Sequence, residues 1–144
     1  MTDMIRLRFV ALDTPLYVVA TPIIQWWTGG WPSHVDAVTL DGSLLGAAPF
    51  GGVRLRSPAM LTGRDETIEI PCTLDQRRDF WSFLNDHLGE PYDWLGLIGF
   101  PVAVHDRHRW FCSELIAAAL HHAGLLEAPR PHLHSPASLY RSLT

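Results

Sequence analysis

The spacing of the apolar residues changes near residue 73, and this change constrains the fold more than any other feature of the sequence. Before it, short segments such as MIRLRFVAL, VRLR and TIEIP alternate as strands do, and the glycine pairs Gly29-Gly30 and Gly51-Gly52 separate segments. After it, apolar residues recur at helical spacing. Strands followed by helices predict an α+β domain with an antiparallel sheet packed against helices. At 144 residues we expect one domain spanning residues 1–144.

The predicted helices of the second half are marked by their ends. Thr73 followed by Gln76 is a capping box, which opens a helix through DQRRDFWSFLNDHL. A second helix is predicted from about Phe111 through SELIAAALHHAG, and Gly124 closes it. Pro136 stands at the favoured first position of a short C-terminal helix. In the first half, TPIIQWWTGG indicates a short helix or turn with an aromatic cluster.

A hairpin is predicted between SHVDAVTL and SLLGAA, because Asp41-Gly42 is a strong turn signal between two apolar segments. With a two-residue turn, Asp36 pairs with Ala47 and Val38 pairs with Leu45. The alternation of a strand then places His34, Asp36, Val38 and Leu40 on one face. Asp36 becomes the only ionisable neighbour of His34 on that face of the hairpin.

Composition and termini exclude several classes of protein. A net charge of −4 argues against nucleic-acid binding, which needs a basic face. Two cysteines do not make a disulfide framework. The start of the chain lacks the features of a signal peptide, and the longest apolar run, WLGLIGFPVAV, is shorter than the roughly 20 residues that span a bilayer. We therefore expect synthesis in the cytosol and no integral membrane segment; no export route is encoded.

Cys112 falls in the first turn of a predicted helix, within the segment RWFCSEL. Backbone N–H groups and the helix dipole stabilise a thiolate there, and the thiolate is the reactive form of cysteine. The same position suits an inert thiol, because Cys112, Ile116 and Ala119 share one helix face and free cysteine is often a small buried apolar residue. Position alone leaves both interpretations open.

A cysteine nucleophile needs a base, and eight histidines compete for that role. His105 and His108 lie close before Cys112, in the charged segment HDRHR. His34 differs, because it begins a predicted core strand where an imidazole needs a partner. Asp36 could orient this ring as the third member of a triad does. Alternatively, His34 and Asp36 are a polar strand end beside a loop.

Four segments in this order, SHVDAV, DGSLLGAAPFGGV, GEPYDW and WFCSEL, resemble the permuted branch of the NlpC-type papain-like cysteine hydrolases. That branch includes the YiiX-like amidases and is distantly similar to the lecithin:retinol acyltransferase group. The resemblance covers residues 33 to about 120. It implies a permuted papain-like fold in which the catalytic histidine comes first, on a strand, and the cysteine later, on a helix. It implies no cofactor and no metal.

When the family's motif is matched residue by residue, the resemblance implies that Cys112 is the nucleophile and His34 is the base. Many relatives have an acid on the following strand, near residues 45–47, and none of these three residues can serve. Either Asp36 takes that role or the site is a dyad.

Further site residues follow from the same segments. Tyr92 matches a recurrent Tyr-Asp pair and could offer a phenol hydrogen bond near the thiol, while Asp93 could cap the next helix. Ser113, beside the nucleophile, is a candidate supporting or substrate-binding residue. Glu114 is expected to be a structural first-turn acid.

These expectations describe a cysteine peptidase or amidase that works through an acyl-enzyme. Its expected substrate is a peptide or amide, in particular a bacterial cell-wall stem peptide, because GGVR, YDW and the compact length resemble small hydrolases encoded by phages and prophages.

Three alternatives stay open. The same fold hydrolyses or transfers lipid and small ester groups, and the cluster Trp26-Trp27-Trp31 could line an acyl pocket, enter a membrane interface or form core. A non-catalytic binding module could have kept the fold. Zinc is a poor fit, because the chain has no CxxC or HExxH and His105-x-x-His108 with Cys112 matches known spacings badly.

Overall fold

A computed structural model of the protein describes residues 2–15, 17–49, 51–93 and 109–144. Within these ranges the strands are β1 (Asp3–Leu12), β2 (His34–Val38), β3 (Leu44–Ala48), β4 (Gly52–Arg56) and β5 (Gly63–Cys72). The helices are α1 (Tyr17–Thr28), α2 (Leu74–Asp86), α3 (Cys112–His122) and α4 (Pro136–Leu143). The strands form one sheet in the order β4-β3-β2-β1-β5, and every neighbouring pair is antiparallel. The predicted α+β class with an antiparallel sheet is confirmed at this level; the permuted papain-like arrangement stays a prediction.

The predicted helix starts are present as hydrogen bonds. At α2, the Gln76 backbone N–H donates to the Thr73 hydroxyl at 3.1 Å, and the Thr73 backbone N–H donates to Gln76 Oε1 at 3.0 Å. At α4, Ser135 and Ser138 form the same reciprocal pair. Both boxes satisfy backbone donors that a helix leaves without internal partners.

Helix α3 lies at the centre of the molecule. Every residue from Cys112 to Leu120 is buried. The helix packs against β2 and β3 on the sheet and against α2 at its side. Fully burying a Leu or Ile side chain contributes on the order of 2 kcal/mol, so this packing fixes α3 against the sheet. Because Cys112 is the first residue of α3, the packing also fixes the thiol relative to β2.

The register of the β2–β3 hairpin differs by one residue from the prediction. Val38 pairs with Leu44, not with Leu45, and the predicted pairing of Asp36 with Ala47 is therefore wrong. A shift of one position also changes which residue of β3 lies opposite the acid, since side chains alternate between the two faces of a strand.

The cause of the shift is a longer loop. The Thr39 N–H donates to the Ser43 carbonyl at 2.9 Å, so these two residues close the hairpin and three residues lie between them. Gly42 occupies the left-handed region with φ of 86°. A three-residue loop that ends in a left-handed glycine is the next commonest hairpin connection after the two-residue turn. Leu40 accordingly lies in the loop, largely exposed, rather than on the strand face.

Some sequence features lie outside the described residues: the apolar run of residues 94–104, the histidines His105 and His108, and the helix that Asp93 was expected to cap. None of the helices in the described part of the chain has the length and apolar character needed to cross a lipid bilayer.

Candidate active site

The thiol of Cys112 is placed by the start of α3. Phe111 is the N-cap residue with an extended backbone, and its side chain makes no capping hydrogen bond. Glu114 accepts a hydrogen bond from the Phe111 backbone N–H, as the third residue of a capping box does. The Cys112 side chain thus stands at the positive end of the helix dipole, and it is fully buried.

His34 and Asp36 form a buried pair on β2. His34 Nε2 lies 2.7 Å from Asp36 Oδ2, and the two residues are 0% and 1% exposed. Alternation along the strand puts both side chains on one face, so residues two apart can meet when they lean together. The carboxylate holds the imidazole in one orientation, which is how the third member of a catalytic triad acts.

The same imidazole lies close enough to Cys112 for their charges to interact. Burial by itself lowers the pKa of His34, but the charge of Asp36, the charge of an ionised Cys112 and the side-chain hydrogen bond to Asp36 raise this pKa to about 10. Because Asp36 engages Nε2, the ring nitrogen left for the thiol is Nδ1, which is buried and makes no hydrogen bond within the described ranges. An imidazolium between a carboxylate and a thiolate is the charge pattern that activates a cysteine nucleophile.

Gly46 on β3 makes room for the acid. A Cβ placed on this glycine would lie only 2.1 Å from Asp36 Oδ1. The shifted hairpin register sets Gly46, rather than a bulkier residue, against the carboxylate. The carboxylate of Asp36 therefore fills the space that a side chain at position 46 would occupy.

Tyr92 and Tyr17 complete the buried cluster. Burial raises the pKa of both phenols, and so does the nearby Cys112 when ionised. The Tyr17 ring also lies edge-on to the His34 ring, with 6.3 Å between centroids. Both phenols therefore stay protonated beside the thiol and can donate hydrogen bonds. Sequence reasoning named Tyr92 but missed Tyr17, since nothing local to Tyr17 indicates a site.

Arg56 is a second residue that sequence reasoning missed. It is buried at the end of β4, where its guanidinium donates to the carbonyl oxygens of Gly46 at 2.9 Å and Gly52 at 2.7 Å. Burial lowers the pKa of Arg56, and the charge of Asp36 opposes that effect. Only the packing of β4 beside β3 in the folded sheet brings the charge of Arg56 close to Asp36.

Ser113 and Glu114 support the start of the helix. The Ser113 hydroxyl donates to the His134 carbonyl at 2.6 Å and ties α3 to the segment before α4. Burial raises the pKa of Glu114 to about 7, the Phe111 N–H opposes this, and the charge of Asp93 adds to it. The buried Ser113 hydroxyl is committed to a backbone carbonyl, which suits support of the helix rather than contact with a substrate.

Two other described histidines, His87 and His121, have partners outside this cluster. His87 Nδ1 lies 2.7 Å from Glu90 Oε2, which also accepts from the Trp110 indole. His121 Nδ1 accepts from the Ala128 N–H at 3.1 Å. Across the described part of the chain, no group of three or more His, Cys, Asp or Glu side chains has the arrangement of a metal site. The candidate zinc pair His105 and His108 lies outside that part.

The sequence matches no known protein-family model and no curated protein. The resemblance to NlpC-type hydrolases therefore depends on its four motifs alone, and the chemistry of the site has to be argued from its own contacts.

Proposed function

We propose that the protein is a cysteine hydrolase, a peptidase or amidase, that forms an acyl-enzyme on Cys112. The observation that carries this proposal is the position of His34, whose Nε2 is held by Asp36 while its buried Nδ1, left without a hydrogen-bond partner among the described residues, lies within reach of the charge of Cys112 at the start of α3. A core thiol needs no such pair. Burying an imidazole and a carboxylate together costs several kcal/mol of desolvation, which a purely structural strand would avoid with apolar residues.

The chemistry proceeds in two acyl transfers. His34 takes the proton of Cys112, and the sulfur attacks the carbonyl carbon of an amide or ester. A C–S bond forms, the C–N or C–O bond breaks, and His34 returns the proton to the departing amine or alcohol. Water, deprotonated by His34, then attacks the thioester; this releases the carboxylic acid and returns a proton to the thiol.

The developing oxyanion needs donors, and the site offers two kinds. Backbone N–H groups at the start of α3, including that of Cys112, have no partners within the helix. The phenols of Tyr17 and Tyr92 lie beside the thiol and stay protonated. No cofactor is required by this scheme.

The substrate we propose is a peptide amide, with the stem peptide of bacterial cell wall first in order. This follows the motif resemblance. Purified peptidoglycan incubated with the protein should gain new amino termini, and the Cys112→Ala variant should release none.

A lipid or other ester substrate is the second candidate, and α1 favours it. Val18, Val19, Ile23, Trp26 and Trp27 are all exposed on this helix, with Trp26 at 85%. The helix contains no charged residue. Trp31 behaves differently: it is half-buried, and the Arg64 guanidinium lies 4.8 Å from its ring. A core role is thus wrong for Trp26. Acyl-enzyme formation with phospholipid vesicles, and none with cell wall, would select this second candidate.

The thiol itself is tested by an electrophilic acyl probe and intact-protein mass spectrometry. We expect one adduct per chain, mapped to Cys112, and its loss in Cys112→Ala. Cys72→Ala is the matched control, because burial and the charge of Asp3 raise the pKa of Cys72 and outweigh the opposing charge of Arg77. Labelling of Cys72 alone would contradict the proposal. An unlabelled Cys112 in the folded protein would favour the non-catalytic binding module.

A further inference from the structure

A cavity of about 340 Å³ lies beside the buried cluster. The segment between β1 and α1, the end of β3, strand β4 and the turn after β4 surround it. Its apolar walls come from Pro15, Ala48, Pro49, Met60 and Leu61. Pockets of this size hold a short chain with a few polar groups.

Two residues are shared between this cavity and the site. Tyr17 lines the cavity, and its phenol also interacts with Cys112 and with the charge of Asp36. Arg56 lines it too, and its charge acts on Asp36. The thiol itself has no exposure to solvent. Tyr17, whose ring lies edge-on to that of His34 with 6.3 Å between centroids, therefore separates the cavity from the buried pair.

The cavity is positively charged. Its lining includes Arg54 and Arg56, and none of the described residues that line it is an Asp or Glu. Arg56 donates to backbone carbonyls, whereas Arg54 is exposed and has no ion pair within the described ranges. An apolar pocket with a guanidinium at its edge suits an apolar chain that ends in an anionic group. Arginine binds carboxylates through a planar pair of hydrogen bonds, in a bidentate geometry.

A larger cavity, about 660 Å³, lies at the other end of β2, beside Val38. Its arginines already have partners: Arg77 lies 3.0 Å from Asp3, and Arg6 lies 3.1 Å from Glu69. It has neither a free cation in the described ranges nor a neighbouring nucleophile, so the smaller cavity is the better substrate site.

We propose that the smaller cavity receives the acyl side of the substrate and selects acyl groups that carry a carboxylate, with Arg54 as the specificity-determining residue. This inference rests on the proposed function. It narrows the substrate class to amides or esters whose acyl part has an apolar stem and an acidic end.

The test compares two esters of equal length, 4-nitrophenyl adipate and 4-nitrophenyl hexanoate, which differ by a terminal carboxylate in place of a methyl group. The rate measured with Cys112→Ala is subtracted to remove spontaneous hydrolysis. We expect the protein to prefer the adipate ester in kcat/KM. Arg54→Gln should reduce that preference about two- to fivefold, the range of an exposed ion pair, through KM and with little change on the hexanoate ester.

Arg78→Gln is the matched control, because Arg78 is an exposed arginine on α2, paired with Asp75, and its loss changes the net charge equally. It should leave the preference unchanged. A preference that survives Arg54→Gln, or that falls equally in Arg78→Gln, overturns the inference while the hydrolase stands. Absence of a Cys112 adduct with either ester overturns the proposed function and this inference with it.

Discussion

Two neighbouring regions depart from the usual distribution of side chains, in opposite directions. At the junction of β2 and α3, an imidazole and a carboxylate are buried. On α1, the helix that begins at Tyr17, apolar side chains are exposed: Val19 is 68% exposed and Trp26 is 85% exposed. Charged groups are ordinarily solvated, and large contiguous apolar patches are ordinarily covered. Tyr17 belongs to both regions, since it begins α1 and contacts His34.

This difference shows how each region contributes to the stability of the fold. Buried charges cost several kcal/mol unless they are paired, so the polar cluster is stable only as a complete set. Exposed apolar side chains make few contacts within the chain, so removing one costs little. Substitutions should therefore be coupled and costly in the buried cluster, and independent and mild on α1. The predictions below test that contrast, from the largest effect to the smallest.

The largest effect is expected at His34. His34→Ala removes the base and leaves Asp36 without its partner, so turnover should fall by about a thousandfold or more, and stability should fall as well. Asp36→Asn keeps the shape and should lower kcat by about a hundredfold, because the imidazole loses its orienting charge. Kinetics with the ester substrates measure both. An Asp36→Asn enzyme with full activity would show that the site is a dyad.

The same pair predicts a pH dependence of stability. The pKa of His34 is raised to about 10, so the folded state holds a proton that the unfolded chain releases near the ordinary value of 6.5. Its stabilising contribution is complete below pH 6.5 and is lost as the pH rises toward 10. Urea unfolding across this range should show the decline. In Asp36→Asn the decline should flatten, since the larger of the two charges that raise the pKa of His34 is gone.

Gly46→Ala should break the cluster without touching a reacting group. The new Cβ would clash with Asp36 Oδ1, so the carboxylate must move away from His34. We expect a loss of about 1–3 kcal/mol of stability and about ten- to a hundredfold of kcat. A double-mutant cycle with Asp36→Ala sharpens the test, because Gly46→Ala should cost little once the carboxylate is absent. If the losses of stability in the two single variants simply add in the double variant, the clash with Asp36 is not the cause of the Gly46→Ala effect.

Glu114 allows a gain in stability. Burial raises its pKa to about 7 from the ordinary 4.5, so the folded state favours the neutral acid. The stability that this preference provides is complete below pH 4.5 and is lost as the pH rises through 7. Glu114→Gln should match the wild type near pH 4 and be more stable at pH 8 by on the order of 1–3 kcal/mol. Equal stability at pH 8 would show that the carboxylate is well solvated or well paired.

The smallest effect on stability is expected on α1. Trp26→Gln should change the free energy of unfolding by no more than about 0.5 kcal/mol, because the indole makes few contacts within the chain. Hydrolysis of the soluble hexanoate ester should be unchanged. Phe80→Ala in the core is the contrasting variant and should cost about 3–5 kcal/mol. A comparable loss in Trp26→Gln would show that α1 is packed in solution.

The elements themselves could be predicted because they depend on short-range interactions. The capping hydrogen bonds of Thr73 and Ser135 join residues three positions apart, and strand alternation is a property of consecutive residues. The pairing of His34 with Asp36 belongs to the same class, since the two are two positions apart on one strand. The hairpin register was less accessible, because Asp41-Gly42 suits loops of two or three residues and only the closed pair Thr39–Ser43 distinguishes them.

What the sequence by itself determined is therefore the class of fold, the starts of α2 and α4, and the local placement of Cys112 at a helix start and His34 on a strand. Only the tertiary structure brought Tyr17 and Arg56 to that pair, set Gly46 against Asp36, and left the apolar face of α1 uncovered. The reason is physical. Contacts between residues far apart in the chain depend on how whole elements pack, and the entropy of closing long loops is recovered only by that packing, so no short segment encodes them.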